Sequence, residues 1–250
     1  MLLSINCKVA KKRSMILNGE RVEGNINNDT IYNGLIKFYN LENNSLISEC
    51  NYVNGILEGE RKDYYKNGVV STILNYSQGK SNGYVSTYDY NGNIKTKAFY
   101  YYGIQVGGIT DYRENKVQNY KFYSLDRDLL VNINYDSIKT KEITDLQKGY
   151  FFYRKSKASS VFLEGEIPIG DEYFIYTPNP PNYNFRYSIV LLDKNSKITD
   201  TLEDFDMTKP WSRFQMDNDL IASDNKVAIK LTMNDLVSQE KINMLKFLKQ

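Results

Sequence analysis

The chain reads as a mostly β protein. An N-terminal antiparallel sheet of stacked β-hairpin repeats is expected to precede a β-rich, sandwich-like C-terminal domain that ends in a helix. Three observations predict this. A unit of glycine, tyrosine and turn residues recurs at a spacing of 24, with one extra residue in the first unit, between Gly34 and Gly107, the mark of a repeat architecture in which each unit buries its face against its neighbours. The 22 tyrosines set against a single tryptophan suit half-exposed strands. Beyond Ser124 the period stops, and short apolar runs between turn signals take over.

Residues 1–30 lead into the repeats. Lys8, Lys11, Lys12 and Arg13 form a small basic cluster before Met15-Ile16-Leu17, read as the solvated flank of a strand. Asn18-Gly19 is a hairpin signal. Gly24 fits a degraded leading repeat, and Asn25 to Asp29 is polar and turn-like.

The repeat itself begins with Asn54-Gly55-Ile56-Leu57-Glu58-Gly59, followed by Tyr64, Asn67-Gly68 and Tyr76. Moving on 24 residues returns Gly79, Gly83, Tyr88, Gly92 and Tyr100, and a further 24 returns Gly103, Gly107 and Tyr112. Going back 25 from Gly59 and Tyr64 gives Gly34 and Tyr39. Asn67-Gly68 and Asn91-Gly92 are signals for two-residue type I′ turns, in which both central residues need positive φ. Such turns pair Tyr65 with Val70, Arg61 with Leu74 and Gly59 with Tyr76. In the next unit they pair Val85 with Ala98 and Gly83 with Tyr100. A three-residue loop of Glu42, Asn43 and Asn44 sets Gly34 opposite Tyr52. Three of the units thus place a glycine across from a tyrosine, whose ring can cover the bare backbone.

The stretches Asn54-Gly55 through Gly59, Tyr64-Tyr65-Lys66-Asn67-Gly68-Val69-Val70, and the matching set from Gly79 to Tyr100 resemble MORN repeats. They resemble more closely the bacterial variant found in YwqK-type antitoxin-like proteins. The resemblance covers roughly residues 31–123 and departs from the pattern where Asn115-Lys116 replaces Asn-Gly, as in a degenerate cap. It implies a hairpin-repeat sheet and a protein-binding role, with a toxin as one concrete partner.

The domain boundary is expected after Tyr123, giving a repeat domain over 1–123 and a β-rich domain over 124–250. In the second, Leu129 to Tyr135, Tyr150 to Tyr153, Val161 to Leu163, Tyr173 to Tyr176, Arg186 to Leu192 and Val227 to Leu231 read as strands. Thr140 to Lys148 fits a short helix or a turn. Pro178-Asn179-Pro180-Pro181 is a loop that no central strand could contain. The terminal helix is expected from about Asn234. Asn234 and Asp235 suit its start, Lys246 and Lys249 its end, and Val237, Met244, Leu245 and Leu248 its apolar stripe.

Chemistry is sparse. The chain has no histidine, so histidine triads and histidine metal ligands are excluded. No glycine-rich phosphate loop joins a strand to a helix. Asp200, Glu203, Asp204 and Asp206 lack the spacing of a calcium loop and read as a solvated loop, as do Asp217 and Asp219. Trp211 reads as half-buried core. Cys7 and Cys50 read as unbridged buried thiols. A formal net charge of +2 makes no case for nucleic acid. No stretch reads as a signal peptide or a membrane span, so the chain, taken as complete, is expected in the cytoplasm, without a cofactor and without catalysis.

What remains is binding. Tyr39, Tyr64, Tyr88 and Tyr112 recur once per unit and Tyr52, Tyr76 and Tyr100 oppose glycines, so both sets read as scaffold. Tyr65, Asp89, Tyr90 and Arg113 sit beside the first ladder and vary between units. Varying positions on a constant scaffold are where specificity resides, and these four are the candidate protein-binding residues. The alternative is a membrane-surface or lipid-headgroup scaffold using Lys8, Lys11, Lys12 and Arg13.

Overall fold

A computed structural model describes residues 12–27, 31–123, 129–135, 141–143, 151–155, 160–163, 172–176, 178–206, 211–215, 226–236, 239 and 241–249. Strands account for its regular structure, and no described residue is helical. The chain divides into two compact units, Met1–Gln105 with Tyr112–Lys116, and Val106–Asp111 with Val117–Gln250.

In the first unit the strands follow one another as antiparallel neighbours. They are β1 (Lys12–Leu17), β2 (Glu20–Asn27), β3 (Ile31–Asn40), β4 (Leu46–Val53), β5 (Ile56–Tyr64), β6 (Val70–Ser77), β7 (Lys80–Ser81), β8 (Gly83–Tyr88) and β9 (Ile94–Tyr101), with β7 and β8 both against β6. Of the turn-like stretch Asn25 to Asp29, Asn25 to Asn27 belong to strand β2 instead. The three glycine–tyrosine pairs are in place: Gly34 faces Tyr52, Gly59 faces Tyr76 and Gly83 faces Tyr100.

The turns differ from expectation, and the difference explains the glycines. Type I′ geometry, with both central residues at positive φ, is found at Asn18-Gly19, Asn54-Gly55, Gln78-Gly79, Tyr102-Gly103 and Glu114-Asn115. At Asn67-Gly68 and Asn91-Gly92 only the glycine has positive φ. There the amide of Gly68 donates to the Tyr65 carbonyl (2.9 Å) and Tyr65 N–H to the Val69 carbonyl (2.8 Å), which makes a three-residue loop. This loop shifts the local pairing, so that Tyr64 rather than Tyr65 faces Val70, and a bulge then restores the register at Asp63–Thr72. The loop between β3 and β4 runs from Leu41 to Asn44, closed by Asn40 N–H on the Ser45 carbonyl at 2.9 Å.

Between hairpins the same irregularity recurs. Asn25 faces Asn33 but Gly24 faces Ile36, which leaves Gly34 and Leu35 as extra residues. Tyr52 faces Leu57 but Cys50 faces Arg61, so Gly59 lies in a second bulge of this kind. Tyr76 faces Ser81 but Ile73 faces Ser86, which puts Gly83 in a third. The repeat glycine is there because the bulge needs positive φ. At Gly59 (φ 83°) an added Cβ would meet nothing within 4 Å, so room for the tyrosine ring is not the reason. At the turn edge, successive units are stitched by backbone: Gly55, Gly79 and Gly103 amides donate to Tyr32, Leu57 and Ser81 carbonyls at 2.8, 2.9 and 2.7 Å.

The first unit's apolar centre is Val22, Ile26 and Ile36, with Met15, Tyr32, Phe38 and Tyr52 packed against it. Ile36 is wholly excluded from solvent, and burying a side chain of that size is worth about 1.5–3 kcal/mol. Cys50 is buried as a free thiol; Cys7 lies outside the described residues.

The second unit takes in the middle of β10 (Ile104–Arg113) and most of β11 (Lys116–Tyr123), followed by β12 (Leu129–Asn134) and β13 (Lys141–Ile143). Strand β13 stands where a helix or turn was expected within Thr140 to Lys148; it pairs with β12, Val131 facing Ile143. Tyr120, Phe122, Leu130, Val131 and Ile133 are buried. Gly108 makes room for the Tyr120 ring, whose atoms would lie 2.1–2.2 Å from an added Cβ.

Two four-stranded sheets complete the unit. One has the order β15-β14-β16-β19, formed by β14 (Phe151–Lys155), β15 (Ser160–Leu163), β16 (Glu172–Tyr176) and β19 (Trp211–Gln215). The other has the order β18-β17-β20-β21, formed by β17 (Tyr183–Leu192), β18 (Ile198–Asp206), β20 (Lys226–Asp235) and β21 (Lys241–Lys249). The Pro178 to Pro181 segment is a loop, as read, with Pro178 and Pro180 buried.

Two readings are overturned here. The acidic run is not a loop but strand β18, paired with β17. The terminal helix is instead β21, with Ile229 facing Lys246, Leu231 facing Met244 and Met233 facing Ile242. Asn234, the expected cap, lies in β20 opposite Asn184. The reason is tertiary. Val227, Ala228 and Ile229 are all buried, so β20 is covered on both faces and its backbone polar groups need a paired strand on each side. Leu245 packs onto Val190, Leu192 and Ala228, a contact that outweighs local helix preference. Val237 lies outside the described residues.

Candidate protein-interaction surface

The candidate residues sit along the loop rim of the first unit. Three loops make that rim: Lys66-Asn67-Gly68, Tyr90-Asn91-Gly92 and Glu114-Asn115. Asparagine amides chain them together. Asn67 Nδ2 donates to the Tyr90 carbonyl (3.0 Å), and Asn115 Nδ2 donates to Asn93 Oδ1 (3.0 Å) while Asn115 Oδ1 accepts from Ile94 N–H (3.1 Å). Reading the loop asparagines only as turn formers missed this role. Their recurrence at each loop is the signal that could have found it.

Tyr65 and Tyr90 come together. Their rings stack at 4.0 Å between centroids with 23° between planes. The Tyr65 hydroxyl donates to the Tyr88 carbonyl at 2.7 Å, so Tyr65 also joins one unit to the next. Tyr90 remains 64% exposed. Asp89 serves the turn: its carboxylate accepts from Asn91 N–H (2.9 Å), Asn93 N–H (2.9 Å) and Asn93 Nδ2 (3.1 Å). The Asn93 side-chain bond, then the backbone bonds, hold the Asp89 carboxyl below its usual range. Arg113 is exposed at the end of β10, and among the described residues no hydrogen bond or ion pair holds it. The structure therefore joins Tyr65 with Tyr90, commits Asp89 to the fold and leaves Arg113 standing on the same rim.

Scaffold tyrosines lie behind the rim. Arg21 sits over the Tyr39 ring at 4.0 Å. The Tyr64 hydroxyl donates to Glu49 Oε1 at 2.7 Å, and Lys37 approaches Glu49 Oε2 at 3.2 Å. Burial pushes the Glu49 carboxyl up, but the Tyr64 and Lys37 hydrogen bonds and the Lys37 and Lys62 charges together carry it below its ordinary value. Tyr52, opposite Gly34, packs edge-on against Tyr32 at 5.0 Å.

Other candidates are placed as follows. Lys8, Lys11, Asp217 and Asp219 lie outside the described residues, and of Trp211 only the backbone, in β19, is described. Arg13 is exposed on β1. Among the described residues, no three Cys, Asp or Glu side chains converge as metal ligands, and no helix is long and apolar enough to cross a membrane. No protein-family model matches the chain, and no curated protein matches it in sequence.

Proposed function

We propose that the chain is a non-catalytic protein-binding module whose MORN-like hairpin array presents its loop rim to a partner protein. Neutralisation of a toxin by direct contact is the most concrete form of this reading. The observation that carries it is the Tyr65–Tyr90 stack, in which Tyr90 is held in a fixed geometry yet remains 64% exposed. A rigid tyrosine offers large amphipathic contact area at low entropic cost. Arg113, exposed where β10 meets the Glu114-Asn115 loop, supplies another residue type enriched at binding hot spots. The resemblance of the repeats to antitoxin-like proteins supports a protein partner over a lipid surface.

The test is affinity capture from the native host with the wild-type chain and with the Tyr90→Ala/Arg113→Ala variant. Tyr65 is left intact because its hydroxyl is used in the fold. The expected result is a single stoichiometric partner held by the wild-type chain and lost by the variant at unchanged melting temperature. Equal capture by both, or sedimentation of the chain with anionic liposomes and no protein partner, counts against the reading.

A further inference from the structure

The four-stranded sheet β18-β17-β20-β21 ends in two strands of opposite charge. Strand β18 carries Asp200, Glu203, Asp204 and Asp206 and no cation. Asp200, Glu203 and Asp204 are exposed. At the other end of the same sheet, β21 carries Lys241, Lys246 and Lys249 and no acid, with Lys241 exposed. Each strand is paired on one side only among the described residues, β18 with β17 and β21 with β20.

An edge strand presents a row of free backbone donors and acceptors, a template for another strand. Proteins often blunt such edges with charge, which keeps copies apart when all edges carry one sign. Here the signs differ. Like edges repel, whereas the acidic edge of one copy attracts the basic edge of another. The strand directions also fit. Every neighbouring pair in this sheet is antiparallel, so β18 and β21 run in opposite directions. A second copy laid alongside in the same orientation therefore brings its β21 antiparallel to the first copy's β18. In that pairing, the register that sets Asp200 opposite Lys249 also sets Glu203 opposite Lys246.

We propose that copies of this chain associate edge to edge, β18 of one copy pairing antiparallel with β21 of the next. The two edges are different surfaces, so the contact is head to tail and leaves a free edge at each end for further copies, in a ring or an open row. The occupant of each edge is a second copy of this chain, selected by charge.

Sedimentation velocity on the full chain tests this, over protein concentrations on the order of 1 to 100 µM and at about 50 and about 500 mM NaCl. The wild-type mass should rise at least about twofold with concentration at low salt and return to that of the monomer at high salt. Asp200→Lys/Glu203→Lys sets lysine against lysine at the two facing positions of the pairing, and Lys246→Glu/Lys249→Glu sets acid against acid there. Each variant alone should stay monomeric, and an equimolar mixture should assemble again, which also shows that both variants are folded. A wild-type chain that remains monomeric throughout overturns the proposal. So do single variants that assemble as the wild type does, or a mixture that stays monomeric.

Discussion

Two glycines in this chain are required for opposite reasons, and substitution separates them. Gly59 holds φ at 83° in open space, so Gly59→Ala meets no atom but forces a side chain into the left-handed region, at about 1–2 kcal/mol. Gly108 carries no such φ, and its added Cβ would sit 2.1 Å from the Tyr120 ring. Tyr120 is buried and its oxygen accepts the Asn179 amide at 2.8 Å, so the ring cannot swing away freely. Gly108→Ala should therefore cost more, on the order of 3 kcal/mol. Denaturant midpoints of the two variants check the order, and a larger loss at Gly59 would contradict it. Glu49 gives a prediction in pH. Its carboxyl is held below its ordinary value of 4.5, so its contribution is fully present above that pH and is lost as pH falls through the lower folded value. Glu49→Gln should flatten the acid limb of stability against pH below about 4.5, read from urea midpoints between neutral and acid pH. Unchanged acid sensitivity would place the acid-labile contact elsewhere.

The hairpins show what was readable and what was not. Counting residues around Asn67-Gly68 placed Gly59 opposite Tyr76 correctly, yet the turn was of the wrong type. A three-residue loop plus a bulge at Ser71 restores the register that a two-residue turn would have produced. Register is pinned by which face is buried, so the turn could change without moving the strands. The four type I′ turns before Glu114-Asn115 each end in glycine and were readable in principle; at Gln78-Gly79 and Tyr102-Gly103 the first residue hides the signal. In β18 and β21, pairing to the buried strands β17 and β20 decides the structure, and no local pattern reports it. At the loop rim, the candidate tyrosines were visible as departures from the repeat, whereas their stacking depends on two loops meeting in space. One hairpin was half legible: Asp193-Lys194-Asn195-Ser196 reads as the turn that closes β17, but the strand it leads into reads as a loop. Between β17 and β18, Asp193 N–H donates to the Lys197 carbonyl (2.9 Å) and Asp193 Oδ1 accepts from Asn195 and Lys197 amides at 2.8 and 3.0 Å. That is the bonding of Asp89 in the repeat, but with Ser196 at φ 62° where the repeat has Gly92. Ser196→Gly should stabilise the chain by about 1 kcal/mol, visible as a raised denaturant midpoint. A lowered midpoint would mean that Ser196 makes contacts the repeat loops lack.

The sequence period runs to Tyr123, but the packing does not divide there. Strand β11 carries Tyr120 and Phe122, which face Ile133 and Val131 of β12, and all four are buried. The Tyr120 oxygen accepts the Asn179 amide, and the Tyr135 hydroxyl donates to the Pro181 carbonyl, so the proline loop is tied to the same strands. A fragment of residues 124–250 would strip β11 from β12 and remove two buried aromatic side chains. Such losses cost about 3–5 kcal/mol each, together comparable to the whole stability of a typical domain, about 5–15 kcal/mol. The 124–250 fragment is therefore expected to lack a cooperative thermal transition and to bind a hydrophobic dye. A 106–250 fragment, which keeps β11 and the middle of β10, is expected to melt cooperatively. Limited proteolysis of the full chain gives the matching result. The 178–182 loop, with Pro178 and Pro180 buried, should resist cleavage until Tyr120→Phe and Tyr135→Phe release it. Cooperative folding of 124–250 alone would show that β11 belongs with the repeats in energy as well as in sequence.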